Sequence, residues 1–153
     1  VTFTEIRNHM IQHAQWSEFD LETGTWALPA ERMKMRKPFV IPLSPPVVEM
    51  LNIMNTTHSI YLFPGQGKNG VMHGNAIRNL LHKLGYADIT RHGFRSTFRD
   101  WANECTNYPR EICELALAHD ERDQTEAAYS RSDLLEKRRA LIAEWAKFCT
   151  SKK

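Results

Sequence analysis

His92 and Arg95 stand three residues apart in TRHGFRSTFRDWANE, residues 90–104, so on a helix they project together from one turn. His119 closes PREICELALAH, where Ile112, Leu115, Ala116 and His119 share a helical face, and Tyr129 follows ten residues later behind two alanines. This set lacks the paired carboxylates of glycoside hydrolysis and the ligand spacing of a zinc site. It suits phosphate. Attack on a phosphodiester builds negative charge on the non-bridging oxygens of a five-coordinate phosphorus, and guanidinium forks match those oxygens bidentately. A tyrosine hydroxyl, with an ordinary pKa near 10, is only about 0.1% ionised at neutral pH. It becomes a nucleophile beside a base or a cationic field, and neighbouring His and Arg supply both. A departing sugar oxygen needs a proton, and a lysine on a hairpin is a suitable general acid.

Elements that would hold these residues can be read from periodicity. On an ideal helix at about 100° per residue, Phe94, Phe98, Trp101 and Cys105 fall in one arc and His92, Arg95 and Arg99 in another. The first arc is expected in the core, with Arg99 set aside as a contact to phosphate, Asp100 or Glu104. Ile6, Met10, Ile11 and Ala14 at helical spacing predict a helix in the first 15 residues. GTWALPA and PFVIPL, joined by the basic ERMKMRK, predict an antiparallel hairpin. Helices follow in SPPVVEMLNIMN and in NAIRNLLHKLG, the latter stopped by Gly85, with SIYLFPG between them as a short strand or extended segment. A last helix takes Ser132 as N-cap and runs Leu134, Leu135, Arg138, Leu141, Ile142, Trp145 and Phe148 along one stripe. The fold class expected is α+β, mostly helical, with a small antiparallel sheet near the N-terminal third.

The chain has 153 residues, 42% hydrophobic and 25% charged, which is enough for one domain with a real core and argues against extensive disorder. No stretch approaches the apolar length of a membrane span, and VTFTEIRNHM lacks the pattern of a signal peptide, so a soluble, intracellular chain is expected. Three cysteines without a CxxC spacing suggest neither a disulfide framework nor a zinc ribbon. A net charge of +2 does not by itself indicate a nucleic-acid partner. The distribution is more informative, with positive charge gathered at RMKMRK, RHGFRSTFR and EKRR, although such runs are commonly solvated faces.

WSEFDLETGTWALPAERMKMRKPFVIPLS, LFP, HGFRSTFRDWANE, LALAH and AAYSR followed by LLEKRRALIAEWAKF stand in an order and spacing that resembles the catalytic domain of the tyrosine recombinases. The resemblance is strongest to integrases of prophages and genomic islands, and it runs along nearly the whole chain. It implies that the family's His-x-x-Arg box falls on His92 and Arg95, its later histidine on His119 and its nucleophile on Tyr129. It adds Lys34, eight residues before Pro42, as the hairpin lysine, and Arg7, nine residues before Trp16, as the first catalytic arginine. Around Arg7 the sequence departs from the family's TGxRxxE form: Glu5 stands for the glycine and Met10 for the acid.

The activity implied is site-specific DNA strand cleavage and rejoining through a 3′-phosphotyrosyl intermediate, with no cofactor and no metal. The partners implied are double-stranded DNA at attachment sites, other protomers in a synaptic tetramer and accessory DNA-bending proteins, with no membrane. The place of action implied is the bacterial cytoplasm, at the nucleoid. The resemblance implies that residues 1–153 form a single catalytic domain truncated at its N-terminus, without the core-site-binding and arm-binding domains, and weak DNA binding in isolation is expected. Two other readings stand beside this one: a catalytically decayed DNA-binding module of the same fold, and a relaxing enzyme of the type IB topoisomerase kind. The C-terminal helix either covers the chain's own core or packs on a neighbouring recombinase.

Overall fold

The computed structural model describes residues 8–33, 36–54, 59–66, 70–118 and 134–151. Helix α1 (Asn8–Gln12) leads through a 3-10 turn at Trp16–Glu18 into strands β1 (Phe19–Asp20), β2 (Thr25–Leu28) and β3 (Phe39–Pro42). Five more helices follow among the described residues: α2 (Pro45–Met54), α3 (Ala76–Lys83), α4 (Arg91–Cys105), α5 (Arg110–Ala116) and α6 (Leu135–Thr150). The α+β, mostly helical expectation holds. Among the described residues no helix is long and apolar enough to cross a membrane.

The sheet is antiparallel in the order β1-β2-β3, pairing Phe19 with Trp26, Trp26 with Ile41 and Leu28 with Phe39. Alternation along β2 puts Trp26 and Leu28 inward and Ala27 outward, the period-two pattern of a half-buried strand. The tight β1–β2 turn is set locally. The Asp20 carboxylate accepts the backbone N–H groups of Glu22 and Thr23, both at 3.0 Å, and Gly24 takes a φ of 61° that only glycine adopts without strain. Where the sequence predicts a two-stranded hairpin, the described residues form a three-stranded sheet. The additional strand, β1, is two residues long and exists only by pairing with β2, so it carries no periodicity of its own.

Among the described residues two hydrophobic clusters make up the core. The first gathers Met10, Ile11 and Ala14 of the α1 region, Trp26, Leu28, Phe39 and Ile41 of the sheet, Val47 and Leu51 of α2, and Leu62. Leu62 sits in an extended segment laid against α1, where its N–H donates to the Ala14 carbonyl at 2.8 Å. The second cluster packs Phe98, Trp101 and Ala102 of α4 and Ile112, Cys113 and Ala116 of α5 against Leu141, Ile142 and Trp145 of α6. Phe98 meets Trp145 edge to face with ring centroids 5.4 Å apart. So α6 covers the chain's own core, leaving Phe148 54% exposed at its far end.

The two clusters are joined by arginines. Arg138 of α6, 0% exposed, donates from Nη1 to the Val40 carbonyl at 2.8 Å and lies 4.6 Å from the centroid of the Phe39 ring. Its neighbour Arg139 donates to the Gly24 carbonyl at 3.1 Å. The EKRR run, expected as a solvated face, therefore has two of its three cations on the sheet. The expected Ser132 cap lies outside the described residues; the described helix starts after Leu134, at φ 48°. Gly85, at φ 84°, stops α3 as expected.

Candidate active site

Helix α4 presents the His-x-x-Arg pair. Thr90 caps it, its hydroxyl accepting the Gly93 N–H at 3.0 Å, so the first turn is fixed by a local hydrogen bond. Unsatisfied N–H groups and the helix dipole give that end a partial positive charge. His92 is exposed on this turn, where an anion is favoured, and Arg95 is half-buried one turn on.

Arg95 does not simply extend into solvent. Its Nη2 donates to the Leu117 carbonyl at 2.6 Å. Leu117 and Ala118 form the turn that ends α5, with the Leu117 N–H on the Cys113 carbonyl and the Ala118 N–H on the Leu115 carbonyl. Ala118 has a left-handed φ of 50°, unusual for a residue with a side chain. Leu117 belongs to the helical cluster, whereas Ala118 packs against the sheet cluster. The turn before His119 thus lies on the seam between the two cores.

Ile112, Leu115 and Ala116 are buried, as their shared face predicts. Of the six site residues expected from sequence, His92 and Arg95 are brought together on α4; Arg7, Lys34, His119 and Tyr129 lie outside the described residues. Described residues close in sequence to Lys34 and Arg7 are tied together. Arg32, at the start of the β2–β3 connection that contains Lys34, donates from Nη1 to the carbonyls of His13 at 2.6 Å and Met10 at 3.3 Å, and pairs with Glu18. This cation caps the end of α1, whose first described residue, Asn8, follows Arg7 in sequence. Met10 is buried in the sheet cluster, so the position where the family places an acid here serves packing.

Two expectations about α4 are corrected. Phe94 and Cys105 are exposed; the buried arc runs through Phe98, Trp101 and Ala102, because only the middle of the helix has α5 and α6 over it. Arg99 pairs with neither Asp100 nor Glu104. Its Nε donates to Glu114 Oε1 at 2.9 Å, with Nη2 on the same oxygen, across to α5. The sequence signal for this pair was the lone acid in the apolar run ICELALA.

Two other nucleophile candidates, Tyr108 and Cys113, are chemically disfavoured. The Tyr108 hydroxyl donates to Glu144 at 2.7 Å, and burial together with that carboxylate pushes its pKa up to about 12. Burial, then the charge of Glu114, pushes the Cys113 thiol up from its ordinary value and keeps it neutral. Among the described residues, no three His, Cys, Asp or Glu side chains are placed to hold a metal ion.

The phage integrase family model matches residues 2–135. The chain is 35% identical over 146 residues to the prophage integrase IntZ of Escherichia coli K12, covering 94% of this chain and 36% of that protein. It is 30% identical over 164 residues to the integrase of enterobacteria phage P4, covering 95% and 37%. Among solved structures it is similar to the integrase of mycobacterium phage Brujita, with a TM-score of 0.73, 21% identity, and coverage of 99% of this chain and 51% of the other. It is also similar to XerA recombinase, with a TM-score of 0.62 and 15% identity over 99% of this chain and 56% of that one. The chain thus spans little more than a third of the length of the curated relatives it matches.

Proposed function

The chain belongs to the phage integrase family, and we propose that it carries the DNA cleaving and rejoining site of a site-specific tyrosine recombinase. In this reading Tyr129 attacks the scissile phosphate: its oxygen bonds to phosphorus, the bond from phosphorus to the 5′ oxygen breaks, and a 3′-phosphotyrosyl link remains. The proton lost by Tyr129 passes towards His92, and Lys34 gives one to the departing 5′ oxygen. Arg7 and Arg95 neutralise the non-bridging oxygens while His119 adds a donor. The ester exchange conserves bond energy, so the reverse step needs only an incoming 5′ hydroxyl.

The observation that carries the reading is the hydrogen bond from Arg95 to the Leu117 carbonyl, which ties the His-x-x-Arg box to the turn directly before His119. The elevated pKa of Tyr108 supports Tyr129 as nucleophile by disfavouring that competing tyrosine. The partners we propose are double-stranded DNA at an attachment site and other protomers in a synaptic tetramer, with accessory DNA-bending proteins and action in the bacterial cytoplasm. Residues 1–153 are assigned to the catalytic domain, and recognition of core and arm sites to other segments of such a recombinase.

The test is a library of nicked suicide duplexes, randomised around the nick, from which DNA attached to protein through SDS is recovered. An adduct mapped to Tyr129 by mass spectrometry and lost in Tyr129→Phe is expected. An adduct that survives that substitution overturns the assignment of the nucleophile. Lys34→Ala should be rescued by a substrate with a more acidic leaving group, and failure of that rescue removes Lys34 from its role.

A further inference from the structure

Glu114 is 5% exposed in a helix where Ile112, Cys113, Leu115 and Ala116 are also buried. An apolar side chain of similar size would pack such a position at less desolvation cost, so this carboxylate contributes little to stability for what it costs to bury. What it adds is direction. Helix α5 has seven residues, too few to hold its own geometry, and its apolar contacts with α4 resist separation more than sliding or rotation. Two polar ties remove that freedom. Arg99 reaches Glu114 in the body of α5, and Arg95, one turn earlier on the same stripe of α4, reaches Leu117 just beyond its end.

We infer that Arg99 and Glu114 form a positioning pair for strand cleavage, setting the register of α5 on α4 and, through the Leu117 carbonyl, the plane of the Arg95 guanidinium. The inference rests on the recombinase reading above and adds to it two residues that do not touch the reacting atoms. Geometry gives the route. If α5 slips or rotates, the Leu117 carbonyl moves, and the Arg95 fork must follow it or lose that bond. Bidentate contact with a phosphate depends on the plane of the fork, so a small error there weakens transition-state contacts more than ground-state binding. The same slip displaces the left-handed turn at Ala118, which is packed on the other core and leads directly into His119.

The experiment measures single-turnover adduct formation by the protein, wild type and Glu114→Gln, on the nicked duplex recovered above. The variant should slow the rate at saturating DNA about tenfold or more, with the DNA concentration for half-maximal rate changed less than about twofold. A second duplex carries a methyl group in place of one non-bridging oxygen of the scissile phosphate. That phosphate is uncharged, so accurate placement of Arg95 gains less there, and the ratio of wild-type to variant rates should fall towards one.

Should Glu114→Gln not fold, Arg99→Lys, which keeps the charge and loses the fork, carries the same two readouts. Equal deficits on both duplexes, or none on either, overturn the positioning role while leaving the recombinase reading intact. A wild-type protein that forms no adduct from the whole library overturns that reading, and this inference with it.

Discussion

The sheet half and the helical half bury similar numbers of side chains, eleven and ten among the described residues, but they fix their geometry by different means. In the sheet half the backbone does most of it. Strand ladders set the register, and the main cation, Arg32, binds the carbonyls of Met10 and His13. In the helical half the packing is aromatic, from Phe98 through Trp101 to Trp145, and has no ladder to set its register. There, side-chain polar pairs do what the ladder does elsewhere: Arg99 with Glu114, and Tyr108 with Glu144. A sheet fixes its own register through its backbone, whereas packed helices set theirs through side chains, by interdigitation and by polar pairs such as these two. The His-x-x-Arg pair stands on α4 of the helical half, and its Arg95 reaches a turn whose Ala118 packs on the sheet half, so the joint matters as much as either core.

The joint is the place to break this comparison with the largest effect. Arg138→Ala would remove a fully buried side chain, leave a cavity and strip the Val40 carbonyl of its donor. The expected loss is about 3–5 kcal/mol, read from urea unfolding. A loss under about 1 kcal/mol would mean that the two cores hold together without it. Within the sheet half, Arg32→Met should cost less, about 1–3 kcal/mol, since the ladder remains. Hydrogen exchange should place its loosening at α1, and uniform loosening of the sheet instead would contradict the division of roles.

A pH titration sharpens the helical side. The folded-state pKa of Tyr108 lies above its unfolded value of 10, at about 12. A raised folded pKa means that the folded state holds its proton more tightly, so the stabilising contribution is complete below pH 10 and is lost as pH climbs towards 12. Wild type should therefore lose stability over that interval more steeply than Tyr108→Phe. Parallel curves for the two proteins would show that the tie to Glu144 does not steady α6 in solution.

Local pattern was legible in the sequence; orientation and distant pairing were not. The two longer strands, the stop at Gly85 and the burial of Phe98 and Trp101 all follow from spacing and composition. A helical wheel gives relative angles only, so it placed Phe94 and Cys105 with the core although both are exposed. Strand β1 depends on its partner, and Arg99 on an acid fifteen residues away, neither of which leaves a periodic trace. The candidate site was legible as blocks in an order, which places His92 and Arg95 on α4 but says nothing of Leu117 as the carbonyl that Arg95 reaches.

The smallest predicted effect tests the turn where the chain passes from one core to the other. A left-handed alanine costs about 1 kcal/mol or slightly more, and glycine there would relieve it while losing about 0.5–1 kcal/mol in backbone entropy. These nearly cancel, so Ala118→Gly should change stability by less than about 0.5 kcal/mol. Ala118→Val meets the same φ with a branched side chain and should cost about 1–2 kcal/mol. If the valine is tolerated as well as the glycine, the left-handed turn is not imposed by its surroundings. If only the glycine is tolerated, the Arg95 bond to Leu117 and the packing of Ala118 on the sheet core together hold the turn against alanine's own preference. That is how a short helix of one half could present the residue after it to chemistry assembled from both.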